Sequence, residues 1–197
     1  MAWRYAASRT LYIGIVWEVW ICVRQAAFLR AINVGGHTVK MDELRRVLSE
    51  AGLEAVETFI ASGNVVFDAP PGDEGESEAR IESALRTAYG FEVATFVRPV
   101  TGLASLVTAN PFETTGGGKV QVGFVRSVLS EETARSVLAL ANANDEFQVS
   151  GRDLYWYTHT SIHESPVTGP MLEKAAAGPC TWRNINTIVR MAAKYAT

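Results

Sequence analysis

Cysteine, histidine and excess basic charge are what this 197-residue chain has least of. Its two cysteines, Cys22 and Cys180, lie far apart with no CxxC-type spacing, which argues against a disulfide framework or a zinc site. They read as reduced thiols of a cytoplasmic protein. A formal net charge of −3 argues against a general binder of nucleic acid or anionic membrane. No apolar run is long enough to cross a bilayer as a helix: the stretch from Leu11 to Val23 is broken by Glu18, and no small-x-small cleavage pattern follows it. The chain also lacks a nucleophile elbow, a Cys-His signature and the kinase motifs. His159 and His163 with Glu164 have a spacing that would suit one helical face, but THTSIHESP has the composition of a loop and offers no third ligand. Neither a metal nor a cofactor is expected, and His163 beside Glu164 is the least implausible proton carrier.

What is present is an ordinary globular composition, 48% hydrophobic and 20% charged, with enough length for a real core. Patterning is disordered over the first 22 residues and organised from Arg24 onward. Residues 1–22 are therefore expected to be an extension outside the fold, with Val23 as the natural start, followed by one lobe over 23–100 and another over 101–197.

The first lobe is the more legible. Ala26 to Ile32 reads as a buried strand, and Asn33, Gly35 and Gly36 then tolerate positive φ. Met41, Leu44, Leu48 and Ala51 recur at helical spacing. Val56 to Ala61 and Asn64 to Asp68 form β-rich runs joined through Ser62-Gly63-Asn64, a hairpin turn. The acid-rich stretch Ala69 to Glu78 reads as a solvated loop with surface carboxylates. Ile81, Leu85 and Ala88 give a second helix, and Glu92 to Arg98 a fourth strand. The order is β-α-β-β-α-β, the ferredoxin-like unit.

The second lobe reads less cleanly. Val120 to Arg126 alternates as a strand, Ser130 opens a helix, and two strands meet across Ser150 to Asp153. Pro170 starts another helix. The last helix is expected to begin near Thr181, with Ile185, Ile188, Val189 and Ala192 packed inward. These elements do not read as a clean repeat of the first lobe, so the fold class is α+β, a ferredoxin-like lobe packed on a second α+β lobe. Phe28 and Phe67 sit in apolar runs without basic neighbours, which reads as core rather than an RNA-stacking surface. Of Tyr155, Trp156 and Tyr157, one side is expected in the core and the other facing a groove.

Arg30 at the strand end, the Gly35-Gly36 backbone, the Ser62 to Asn64 turn, and Arg183, Asn184 and Asn186 are arginines, amides and turn residues of the kind that hold an anionic or planar group. The bland counterpart is that they cap a helix and tie the lobes together.

FLRAINVGG, VKMDEL at Val39 to Leu44, TFIASGNVVF at Thr58 to Phe67 and TWRNINT at Thr181 to Thr187, in that order, resemble the bacterial domain-of-unknown-function family 1697. The resemblance runs from Val23 to the C-terminus. It implies a small cytoplasmic protein with a ferredoxin-like first lobe and a related second lobe, and it carries over no catalytic residue. Two positions depart from the family pattern: Ala31 stands where glycine is usual and Ile185 where tryptophan is usual.

The function expected is binding of a polar or anionic small molecule, phosphate-bearing ones included, between the lobes by Arg30, Asn33, Gly35, Gly36, Ser62, Asn64, Arg183, Asn184 and Asn186, with catalysis left open. The alternative is a protein-interaction module without catalysis, and nucleic-acid binding ranks last. The oligomeric state is not legible.

Overall fold

The computed structural model describes residues 11–12, 15–16, 22–33, 38–113 and 118–195. Apart from a short pairing of β1 (Leu11–Tyr12) with β2 (Ile15–Val16), the strands form two four-stranded antiparallel sheets. The expectation for residues 1–22 falls largely outside the described residues.

The first sheet holds β3 (Val23–Leu29), β4 (Glu54–Thr58), β5 (Asn64–Ala69) and β6 (Thr95–Pro99), in the order β4-β5-β3-β6. Helices α1 (Met41–Glu50) and α2 (Glu74–Tyr89) cover one face, where Leu44, Leu48, Ile81 and Leu85 pack on Leu29, Val65, Phe67 and Val97. This is the β-α-β-β-α-β order expected. One assignment changes: α2 begins inside the acid-rich stretch, and Glu78 is not a surface carboxylate. It is 3% exposed, and its Oε1 accepts the Val97 N–H at 2.9 Å. Helix α3 (Val100–Thr108) follows β6 directly.

The second sheet holds β7 (Lys119–Phe124), β8 (Asp145–Ser150), β9 (Asp153–Thr158) and β10 (Thr181–Asn184), in the order β10-β7-β9-β8. Its outer face carries α4 (Glu131–Leu138) and α5 (Gly169–Ala175), and α6 (Ile185–Tyr195) follows β10 directly. The Ser130 hydroxyl caps α4 by accepting the Thr133 N–H at 3.2 Å. The second half therefore is a repeat of the first: β-α-β-β-α-β with the same strand order, then a helix. The sequence hid this because Thr181–Asn184 carries no break before the helix. Those residues are a strand paired with β7, and the helix starts at Ile185 rather than near Thr181. Within α6 the buried side is Ile185, Ile188 and Met191, whereas Val189 is exposed.

The inner faces of the sheets meet in a shared core with α3 and α6, built on Phe28, Phe96, Leu103, Val122, Phe124, Tyr155 and Ile188. Phe28 and Phe67 are both fully buried. Tyr155 and Tyr157 join this core and Trp156 joins the outer one beneath α4 and α5, so neither side of β9 faces a groove. No described helix is long and apolar enough to cross a membrane.

Candidate functional site

The register makes the two halves comparable residue by residue. Phe28 lies opposite Asn64 and Phe96, and Phe124 lies opposite Asp153 and Thr181. By the same pairing Arg98, opposite Ala26, corresponds to Arg183, opposite Val122.

These two arginines cross the boundary in opposite directions. Arg98 donates through Nε to Asp153 Oδ1 at 3.0 Å, through Nη2 to the carbonyls of Val125 and Arg152, and through Nη1 to its own neighbour Val97. Arg183 donates through Nε to Asn64 Oδ1 at 2.5 Å, through Nη2 to the carbonyls of Leu29 and Gly63, and through Nη1 to Trp182 O and Thr181 Oγ1. All five N–H groups of Arg183 are thus engaged by the protein. Each guanidinium also lies over the opposite half's ring, Arg98 over Phe124 and Arg183 over Phe28.

The difference is charge. Arg98 faces a carboxylate and Arg183 faces an amide. Desolvation lowers the pKa of both, and for Arg183, which has no ion pair among the described residues, it falls to about 10. Burial also raises Asp153 above its ordinary value, which the facing Arg98 opposes.

A cavity of about 440 Å³ lies beside Arg183, walled by Leu29, Ala31, Ile32 and Asn33, by Ile60, Ala61 and Ser62, and by Thr181, Trp182, Asn184 and Thr187. It sits between the halves. Both connections are longer on this side: Phe59 to Gly63 joins β4 and β5 where Gly151-Arg152 suffices between β8 and β9, and the link from β3 to α1, which supplies Ala31, Ile32 and Asn33 to the wall, is longer than that from β7 to α4. Its rim is strained. Ala31, Asn33 and Ile60 all adopt left-handed backbone, at φ 60°, 58° and 52°. For a β-branched residue such as Ile60 this is a true outlier, of the kind that collects at ligand sites. Ala31, one of the two positions expected to depart from the family pattern, is one of these.

Of the residues expected at a site, Asn33, Ser62, Arg183 and Asn184 line this cavity, and Asn64 lies behind it, fully buried. Asn33 accepts the Val39 N–H at 2.7 Å and donates to Ala61 O, closing its loop. Asn64 Nδ2 donates to Phe59 O and to Ser62 Oγ, holding the hairpin. Asn184 Oδ1 caps α6 by accepting the Asn186 N–H at 2.9 Å, and Asn186 itself is exposed and not part of the wall. Gly35 and Gly36 lie outside the described residues. Arg30 is elsewhere: it pairs with Glu173 at 2.5 Å and borders a different cavity. His163 sits exposed on a short turn at Ile162–Glu164, and Glu164 is spent capping Ser161, so the pair expected there does not form. His159 contacts Glu146 instead. Ile185 lies in the shared core and does not border the cavity.

Sequence reasoning missed Arg98 and Asp153, the counterpart pair, and Thr187, Ala31 and Ile60 in the wall. Thr187 stood inside the quoted TWRNINT. A further cavity, between α2 and the end of β5, is walled by Glu54, Asp68, Asp73 and Glu76 with Cys22, Ser77 and Arg80.

Two matched α+β halves enclosing a polar cleft define an internally repeated protein with one asymmetric interface. The chain belongs to the family described as "Protein of unknown function (DUF1697)", whose model matches residues 23–155. It is similar in fold to the solved structure described as "The structure of conserved bacterial protein SP0830 from Streptococcus pneumoniae", with 20% identity, a TM-score of 0.72, and coverage of 90% of this chain and 100% of that one. Comparison with curated protein sequences gives no match.

Proposed function

We propose that the chain binds a small polar or anionic molecule in the cleft beside Arg183, in a cytoplasmic setting. The observation that carries this reading is the broken equivalence of the two arginines. Arg98 is neutralised by Asp153 and has no cavity beside it among those described. Among the described residues Arg183 faces no carboxylate, and it adjoins an open volume of a size that suits a small ligand. A cation held in low dielectric without a counter-charge is relieved by an anion brought to it. No catalytic role is assigned.

The test is a thermal-shift and calorimetry screen of nucleotides, sugar phosphates, carboxylates and neutral polar compounds. A ligand at about 100 times its dissociation constant adds roughly 2.7 kcal/mol to stability. The control variant is Thr187→Val, which alters the wall. Arg183→Ala is unsuitable because it removes five structural hydrogen bonds. Saturable stabilisation weakened by Thr187→Val supports the reading, and stabilisation by none of the compounds overturns it.

A further inference from the structure

We propose that Asn64, standing where the second half has Asp153, sets the charge of the cleft and makes it selective for a singly charged carboxylate. The inference rests on the cleft being the ligand site.

The two arginine cages share their backbone acceptors: Leu29 O matches Val125 O, Gly63 O matches Arg152 O, and Trp182 O matches Val97 O. The residue that accepts from Nε is the one that changes the charge, a carboxylate at Asp153 and an amide at Asn64. One side of the interface is therefore neutral and the other retains one positive charge.

That single charge limits the ligand. Arg183 is the one ionisable side chain among the described wall residues, and the nearby Arg30 is committed to Glu173. A monoanion balances the cleft. A dianion would bring a second charge with no cation among the described wall residues to meet it.

The donors point the same way. Arg183 has no N–H to spare, so it meets an anion through its charge, and the hydrogen bonds to the ligand come from its neighbours. Ser62 Oγ already accepts from Asn64, which leaves its own proton to donate. Asn184 spends its carbonyl on the α6 cap, which leaves its NH₂. Leu29, Ile32 and Ile60 add hydrocarbon to the wall beside Asn33, Thr181, Trp182 and Thr187, room for a small apolar body behind the charged group.

Asn64 also accounts for the shape. Its NH₂ holds Phe59 O at 3.1 Å and Ser62 Oγ at 2.8 Å, closing the long hairpin that forms the cavity wall. An aspartate offers no such donors. The residue that builds the wall is thus the residue that leaves the charge open.

The experiment titrates the full chain with acetate, butyrate and benzoate, with butyramide as neutral analogue and inorganic phosphate at pH 8 as dianion, all at constant ionic strength. Variants are Asn64→Asp, and Ala61→Asp beside its neutral control Ala61→Asn, which put a carboxylate at the rim without touching the Asn64 bonds. Expected is saturable binding of a monocarboxylate, with butyramide and phosphate weaker by about tenfold or more. Asn64→Asp and Ala61→Asp should lose it and Ala61→Asn keep it. If Asn64→Asp fails to fold, the Ala61 pair decides. Equal carboxylate binding by the Asp and wild-type proteins, or tighter binding of phosphate or butyramide, overturns this inference and leaves the cleft as a ligand site. Binding of no probe overturns this inference, and the cleft as a ligand site is then decided by the wider screen described above.

Discussion

Phe28 and Phe124 lie face to face where the two sheets meet, ring centroids 4.0 Å apart and planes within 5° of parallel. Their places in the register are equivalent, so the approximate two-fold relation between the halves passes between the rings. In a symmetric dimer the residue at the axis touches its own copy, and here one chain supplies both copies. Above and below the stack run the crossed arginines.

Truncating either ring should be costly and the two costs should overlap. Phe28→Ala and Phe124→Ala are each expected to lose about 3–5 kcal/mol, as for a buried phenylalanine. The double variant should lose less than the sum, because each single change already removes the stack. Urea unfolding of the four proteins gives the coupling, and strict additivity would mean the rings do not share an environment.

Asp153→Asn should expose the worth of the neutral arginine cage. Arg98 and Asp153 are 5% and 17% exposed, and removing one partner leaves the other charge buried alone. A loss of about 3–5 kcal/mol is expected. Chloride should restore little of it, since a guanidinium only 5% exposed is closed to a dissolved anion. A loss under about 1 kcal/mol, the range of exposed pairs, would show that water reaches the site.

Glu78 predicts a pH dependence of definite sign. Burial is the largest influence on its carboxyl and raises the pKa above the ordinary 4.5, against the lowering by the Val97 N–H and by Arg126. The folded chain then holds this proton to higher pH than the unfolded chain. Its contribution to stability is full below about pH 4.5 and declines as pH rises through the elevated folded value. Glu78→Gln keeps an oxygen for the Val97 N–H and does not titrate. The stability difference, wild type minus variant, should therefore fall with rising pH from about 4.5 and then level off. A flat difference in chemical denaturation across that range would contradict the burial of this carboxylate.

Ala31→Gly should stabilise the protein. Left-handed backbone at φ 60° costs an alanine about 1–2 kcal/mol, and glycine returns part of that as unfolded-state entropy. The net gain expected is roughly 0.5–1 kcal/mol, read as a higher melting temperature. A fall instead would show that the alanine methyl contributes packing to the cleft wall worth more than the strain.

Much of the first half was legible because its strands are apolar runs bounded by turn residues. Ser62-Gly63-Asn64 announces its hairpin, and Gly63 at φ 68° is where only glycine fits comfortably beside Leu29 O and Ile32. The second half was misread at one place with large effect. Thr181–Asn184 runs into α6 with no glycine or proline between them, so the helical spacing from Ile185 extends backward on paper and absorbs a strand. The count then falls one strand short and the repeat disappears. At the cleft, the amides and Arg183 stand out by residue type. Their partners do not: Arg183 and Asn64 meet across 119 positions, and nothing local marks the pairing. Ala31 and Ile60 give no warning of left-handed backbone, because neither is a residue that usually signals it. Glu78 was hidden by its neighbours, an acid-rich stretch that reads as surface.

The crossed arginines have a consequence for how the chain comes apart. Each half completes the hydrogen bonding at the end of the other's first strand, through Leu29 O and Gly63 O on one side and Val125 O and Arg152 O on the other. Neither half can melt while its neighbour keeps all its bonds. Loss of one withdraws a guanidinium from inside the other and takes a donor from each of these carbonyls, so a half-folded chain is penalised from both directions. Duplicated architecture usually invites stepwise unfolding in separable units. Here the exchange of side chains ties the two units into a single cooperative transition.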